Sequence, residues 1–220
     1  MSASSMTDHE FDRTLIEAAF RLAGEQGWSR MSVAGAARAA DLPLARARVR
    51  FPCRSALLLR FGRQADQAAL EAASVTAPVR DQLFDMLMRR IDVLQAHRAG
   101  MLALFRALPA NPPLAVMLAT ASLASMRWLL QAAGASANGP AGALRAKGLL
   151  AVWLWTVRAW TRDETVDLSA TMAALDQALS RAENAESWLR PNRQPASPPE
   201  PPPEPPPPEP DLFETEPPIA

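Results

Sequence analysis

The sequence holds 220 residues, with 23 basic against 23 acidic side chains, one cysteine and no tyrosine. A single thiol excludes an intrachain disulfide and suits a reducing compartment, while the abundance of Ala, Leu, Met and Arg over β-branched residues favours helix. Asp8, Glu10 and Asp12 interrupt the stretch where a signal peptide needs apolar residues, and the run from Gly148 to Val157 is about half the ~20 residues that cross a bilayer, so a cytoplasmic chain with no transmembrane segment is expected.

Thr7 and Glu10 have capping-box spacing, and Phe11, Leu15, Ala18 and Leu22 then recur every three or four residues, which predicts an amphipathic first helix ending at Gly27. The Ser32 hydroxyl suits the cap of a short second helix over Val33 to Ala40, with Asp41-Leu42 as the turn. Pro43 fits the first turn of a third short helix running to about Arg50, where a missing amide costs nothing. Phe51-Pro52 ends it. A fourth helix, from Arg54 to about Ala73, carries Leu57, Leu58, Phe61, Ala65 and Leu70.

Pro78 opens a fifth helix with Leu83, Leu87, Ile91 and Leu94 on a common face, and a sixth spans Arg98 to Leu108 and stops at Pro109. Asn111-Pro112-Pro113 reads as a loop before a seventh helix from Leu114 to Ala133, and Gly134 to Pro140 reads as a linker. The eighth, Ala141 to Arg162, is apolar nearly all round, which predicts burial on several sides. A ninth, about Leu168 to Glu186 with Asp167 as cap, places Leu168, Met172, Leu175, Leu179 and Ala182 at alternating steps of four and three, the seam spacing of nearly parallel helices. From Pro191 onward lie 14 of the 21 prolines, so a solvated, extended, disordered tail is expected there. The reading is an all-α chain in three regions: 1–58, a helix-turn-helix; 59–190, a helical ligand-binding and dimerising bundle; and 191–220, the Pro/Glu-rich tail.

The neutral total conceals an uneven distribution. Residues 1–63 carry ten arginines against six acids, a surplus suited to a polyanion, whereas residues 194–220 carry six acids and no base. A support helix, a tight turn, an Arg-rich short helix and an aromatic-proline stop match the helix-turn-helix design, whose second helix enters the DNA major groove. At about 100° per residue, Arg46 and Arg50 lie about 40° apart around the third helix and Arg48 points nearly the other way. Arg46 and Arg50 are therefore expected to face DNA. Ser32, Arg38, Pro43, Leu44, Arg48 and Arg54 complete the expected DNA-contacting set, with bidentate guanine contacts and phosphate contacts both open to the arginines.

The front of the chain resembles the TetR/AcrR-type transcriptional regulators. The resemblance is carried by Ala18-Ala19-Phe20-Arg21-Leu22 to Glu25-Gln26-Gly27-Trp28, by Met31-Ser32-Val33, and by Phe51-Pro52-Cys53-Arg54-Ser55-Ala56-Leu57-Leu58, which is similar to the family's Phe-x-Ser-Lys-Glu-x-Leu stretch. It departs where the family has Ala-Gly-Val before the recognition helix and this chain has Ala40-Asp41-Leu42. Arg48 also stands where the family has a phosphate-contacting tyrosine. The resemblance implies a homodimeric DNA-binding repressor with a small-molecule effector. A weaker resemblance, to the TetR-like lipid-binding proteins of ubiquinone biosynthesis, rests on the Phe-Pro stop, on Leu104 to Pro112 and on Ala151 to Asp163. It implies a lipid carrier with a degenerate DNA-binding region.

Phe84, Met88, Met101, Phe105, Met126, Trp128, Trp153 and Trp160 are the expected lining of a pocket for an apolar or aromatic effector or lipid, because Met adapts to irregular shapes and Trp offers a flat wall. Leu149, Trp153, Met172, Leu175 and Leu179 are the expected dimer seam of a four-helix bundle, although the same seam could instead pack inside the monomer; dimerisation is preferred because helix-turn-helix proteins read two half-sites. His9 and His97 are the only histidines, and His97 is next to Arg98 with no carboxylate cluster or cysteine partner in sequence, so neither an enzyme, nor a metal site, nor a cofactor is expected.

Overall fold

A computed structural model describes residues 6–71 and 77–189, with side chains up to residue 184. The described residues form nine α-helices: α1 (Asp8–Gln26), α2 (Val33–Ala39), α3 (Leu44–Arg50), α4 (Arg54–Glu71), α5 (Val79–Gln95), α6 (Arg98–Ala107), α7 (Pro112–Ala132), α8 (Gly139–Trp160) and α9 (Ser169–Leu189), with a 3-10 turn (Leu108–Ala110) between α6 and α7. No strand occurs among them. The expected proline-rich tail lies outside the described residues.

Capping chemistry accounts for the front helices. Thr7 N donates to Glu10 Oε2 at 2.9 Å and Glu10 N donates to Thr7 Oγ1 at 3.2 Å, closing the capping box that starts α1. Ser32 Oγ accepts from Gly35 N at 3.0 Å to start α2. Between α2 and α3, Asp41 takes the left-handed conformation, φ 52°, where the resembled family has glycine; an Asp tolerates this better than most side chains. Two proline expectations shift. Pro43 is the residue before α3 rather than within its first turn, and Pro112 and Pro113 belong to the first turn of α7 rather than to a loop. First-turn amides have no helical partner, so prolines fit there, and Asn111 Oδ1 caps Leu114 N at 3.2 Å.

One hydrophobic core runs from Phe11 on α1 to Leu179 on α9. A close crossing joins α1 to α6, where a Cβ on Gly100 would fall on the Phe20 carbonyl. Phe20 also packs on Phe61 of α4, ring centroids 4.6 Å apart, and stacks on His97 at 5.2 Å; burial there pushes the His97 imidazole below its usual value. Further back, Arg98 donates to the Trp160 and Asp163 carbonyls at 3.1 and 2.7 Å, closing the C-terminal end of α8, and Trp160 Nε1 donates to Gln95 Oε1 at 2.8 Å.

The start of α9 depends on more than Asp167. Asp167 Oδ1 accepts from Ser169 N at 3.3 Å, but Asp163 Oδ2 accepts from both the amide and the hydroxyl of Thr171 at 2.7 Å. α7 is long and apolar enough, by length and composition, to cross a bilayer, which the apolar-run criterion missed. Leu114, Met126, Leu129 and Leu130 nevertheless bury one side of it in the core. The expectation that α8 is buried on several sides is corrected: Leu154 is 56% and Trp155 50% exposed, and Leu144 is exposed with them. Among the described residues only the inner face of α8 is covered, and its second apolar face meets solvent.

Candidate nucleic-acid interface and ligand-body sites

α2, the Asp41 turn and α3 set α3 across the front of α1, with Ala47 buried and Leu44, Ala45, Arg48 and Val49 facing outward. Arg46 and Arg50 do not share that outward face. Arg46 Nη2 donates to Asp8 Oδ1 at 2.6 Å and to the Met6 carbonyl at 3.0 Å, and its guanidinium lies 4.5 Å over the Phe11 ring. Arg50 grips Asp12 through Nε and Nη2 at 2.6 and 2.8 Å, and its Nη1 reaches Asp8 at 2.6 Å. Arg60 of α4 adds a third donor to Asp12 at 2.8 Å. The expected orientation is thus reversed, because Asp8 and Asp12 offer carboxylates on the facing helix and Asp12 is itself buried.

The electrostatics follow from these pairs. The Arg46 hydrogen bond holds the Asp8 carboxyl below its usual value, and the Asp12 hydrogen bond raises Arg50. Three arginines of the basic front end therefore brace α3 and α4 against α1. What α3 presents outward is Leu44, Ala45, Val49 (83% exposed) and Arg48, whose Nη1 bonds the Pro52 carbonyl at 2.6 Å. Around this face stand Pro43 and Arg38, both exposed, the exposed Ser32 that caps α2, and Arg54, whose Nη1 donates to the Trp28 and Ser29 carbonyls at 3.1 Å. Such a face offers apolar contacts of the kind that suit thymine methyls, plus arginines suited to phosphates.

In the helical body the predicted pocket residues are scattered. Met101, Met126, Trp153 and Trp160 are buried and Phe84, Met88 and Phe105 half-buried in the core, whereas Trp128 is 65% exposed on α7 and is corrected from the pocket lining. Trp160 is occupied by Gln95 and Arg98. Two surface clefts involve other residues. One, of about 210 Å³, lies between the α1–α2 loop, the start of α4 and the start of α7, and is lined by Trp28, Arg54, Ser55, Asn111, Pro113, Leu114 and Met117. The second, of about 390 Å³, lies between α8 and α9 and is lined by Trp155, Arg158, Ala159, Arg162, Ala173, Ala174 and Gln177.

The predicted dimer seam is also corrected. Leu149, Trp153, Leu175 and Leu179 are buried inside the subunit and Met172 is half-buried, because the same four-three seam closes α9 onto α8 and the core. The outward face of α8 is instead Leu144, Lys147, Ala151, Leu154, Trp155 and Arg158.

Sequence reading overlooked one cluster. Arg90, on the inner face of α5, is buried, pairs through Nη1 with Asp66 of α4, and lies 4.8 Å over the Trp153 ring. Asp66 Oδ2 accepts from Ser125 Oγ of α7 at 2.6 Å. The available signal was positional: Arg90 falls on the same helical face as Leu83, Leu87 and Leu94. Among the described residues no group of three His, Cys, Asp or Glu is placed to hold a metal ion.

No family model and no curated protein matches the chain. Solved structures do. A TetR transcriptional regulator from Nitrosomonas europaea is similar at 19% identity and a TM-score of 0.65, over 81% of this chain and 99% of that one. Salmonella enterica GusR is similar at 21% identity and a TM-score of 0.53, over 80% of this chain and 97% of that one. With its α2–turn–α3 front and α8–α9 rear, the chain has the fold of a TetR-type transcriptional regulator.

Proposed function

We propose that the protein is a cytoplasmic, homodimeric, sequence-specific DNA-binding repressor without enzymatic activity, whose helical body, residues 59–190, takes a small apolar effector and whose front, residues 1–58, reads double-stranded DNA. The observation that carries this is the exposed face of α3, with Ala45, Arg48 and Val49 in solvent and Arg38 and Arg54 exposed on the flanking helices α2 and α4. Arg48 and the flanking arginines hold phosphates, while Leu44, Ala45 and Val49 read base edges by shape and methyl contact. Arg46 and Arg50 act as positioning residues that fix α3 on α1.

A palindromic operator requires two recognition helices about 34 Å apart, and hence a dimer. The unpartnered apolar face of α8 and the groove beside it, floored by Ala173 and Ala174, suit packing with a second copy into a four-helix bundle. Effector control then has a mechanical route. α6 is pressed on α1 at Gly100, and α1 holds α3 through Asp8 and Asp12, so a shift of α6 carries α3 with it. The effector acts only through its differential affinity for the two spacings.

Genomic-fragment selection with the purified protein at two salt concentrations, against an Arg38→Ala/Arg48→Ala variant, tests this reading. Enrichment of discrete fragments that the variant loses supports it, and enrichment of none sinks it. The second reading is a lipid carrier with a degenerate front. It draws on the diversion of Arg46, Arg50 and Arg60 to carboxylates, and predicts no fragment enrichment together with isoprenoid recovered by extraction of the purified protein.

A further inference from the structure

We propose that Arg90 anchors a ligand site between α4, α5, α7 and α8, and that its ligand is an elongated apolar molecule bearing one uncharged oxygen acceptor, such as a carbonyl. This deepens the effector reading above and rests on it. Arg90 is 5% exposed, and its Nε has no acceptor among the described residues. Native interiors leave few such donors unmet, least of all on a cation, so the orphaned N–H calls for an acceptor brought by a ligand.

Charge decides the class of acceptor. Asp66 neutralises Arg90 through Nη1, and its other oxygen is taken by Ser125. Burial alone brings Arg90 down only to about 10, so the guanidinium is charged at neutral pH and the pair carries no net charge. A ligand carboxylate would then sit buried beside Asp66 without a counter-charge, whereas a carbonyl oxygen takes the Nε proton at no such cost.

The packing supplies an apolar wall and a direction. Gly62, itself half-exposed, lies one turn before Asp66 on the same face of α4, about 40° away, and a Cβ built there would meet nothing within 4 Å. The Trp153 ring under the guanidinium is a flat apolar wall. Ser55 and Leu114 line the cleft at the starts of α4 and α7, and the Asp66–Ser125 bond recurs the same number of residues further along both helices, so the two run side by side in one direction for about 16 Å. The cleft, Gly62 and the Asp66–Arg90 pair thus lie along one α4–α7 seam, the direction in which an elongated ligand is placed.

The test uses the full chain and three probes of matched length, methyl octyl ketone, decanoate and decane, followed by titration calorimetry and tryptophan fluorescence. The ketone is expected to bind tighter than decane and decanoate. An Asp66→Asn/Arg90→Gln pair, which leaves no lone buried charge, should weaken the ketone about tenfold or more while sparing decane. Gly62→Leu should remove binding of both with the thermal midpoint preserved. The proposal is overturned if the ketone and decane bind alike, if decanoate binds tightest, if no probe binds, or if Gly62→Leu leaves ketone binding intact. Fragment selection on the same preparation separates the two readings. DNA enrichment without ketone binding removes this site and leaves the regulator standing; ketone binding without DNA enrichment does the reverse.

Discussion

The front and the rear of the molecule both break the usual inside-outside rule, each leaving apolar side chains in solvent, but for different reasons. At the front, α3 turns Arg46 and Arg50 toward the protein and leaves Leu44 and Val49 in solvent. At the rear, α8 keeps Leu154 and Trp155 exposed although apolar side chains cover nearly its whole circumference. Each inversion has a local cause. Carboxylates on α1 capture the arginines, because the Asp12 side chain is 2% exposed and a buried carboxylate needs the charged donors that Arg50 and Arg60 bring to it. Among the described residues α8 is covered on its inner face only. In the proposed function the inverted front is the mount of the reading helix, and the inverted rear is the surface on which a second copy packs.

The largest expected effect tests the rear. Replacing both Leu154 and Trp155 by glutamate should weaken self-association by about 4 kcal/mol or more, shifting the protein to monomer in sedimentation velocity, since central aromatic anchors contribute most to such interfaces. Leu175→Ala, at a side chain that is 0% exposed within the subunit, should instead lower unfolding stability by about 2–5 kcal/mol. If the Leu154/Trp155 variant stays dimeric, the adhesive surface lies elsewhere.

At the front, Asp12→Ala leaves Arg50 and Arg60 without their buried acceptor and should destabilise by about 3 kcal/mol in urea titration, the partial exposure of both arginines moderating the loss. A change below about 0.5 kcal/mol would show that the mount does not depend on this carboxylate.

An acid titration probes the rear hairpin. Burial raises the Asp163 carboxyl, but hydrogen bonds from Thr165 and Thr171 outweigh it and hold the group at about 2, against an ordinary 3.8. A depressed carboxyl contributes stability that is present above its unfolded value and lost as pH falls toward the folded one. The stability gap between the native chain and Asp163→Asn should therefore narrow by about 2 kcal/mol between about pH 6 and pH 2, most of it below about pH 4. A pH-independent gap would contradict the assignment.

The smallest effect separates reading from mounting. Arg48→Ala should cost about 1 kcal/mol of DNA affinity, reduce the salt slope by about one, and leave the melting temperature unchanged. Arg46→Ala should lower the melting temperature with little change in salt slope. Exchange of these two outcomes would return Arg46 to the DNA face.

Much of the helical order was legible because caps and breakers act locally: Thr7 with Glu10, Ser32, Gly27 and Phe51-Pro52 mark the same boundaries in the sequence and in the structure. Pro112 and Pro113 were misplaced because a proline pair looks the same before a helix and in its first turn. The candidate sites were less legible. Angular spacing correctly separated Arg48 from Arg46 and Arg50, but a helical wheel has no outside until its partner is known, and the partner here is Asp8 and Asp12, some 40 residues earlier. Arg90 was overlooked for a related reason: its charge suggests the surface while its register places it in the core.

By itself the sequence determined the helices, their order and the resemblance at the front, since propensity, capping and periodicity are properties of short windows. Tertiary structure alone decided which face of α3 and α8 meets solvent, which arginines are paired and where an orphaned donor is left. Those outcomes depend on side chains that distant segments bring within a few ångströms of one another, and no local window contains them.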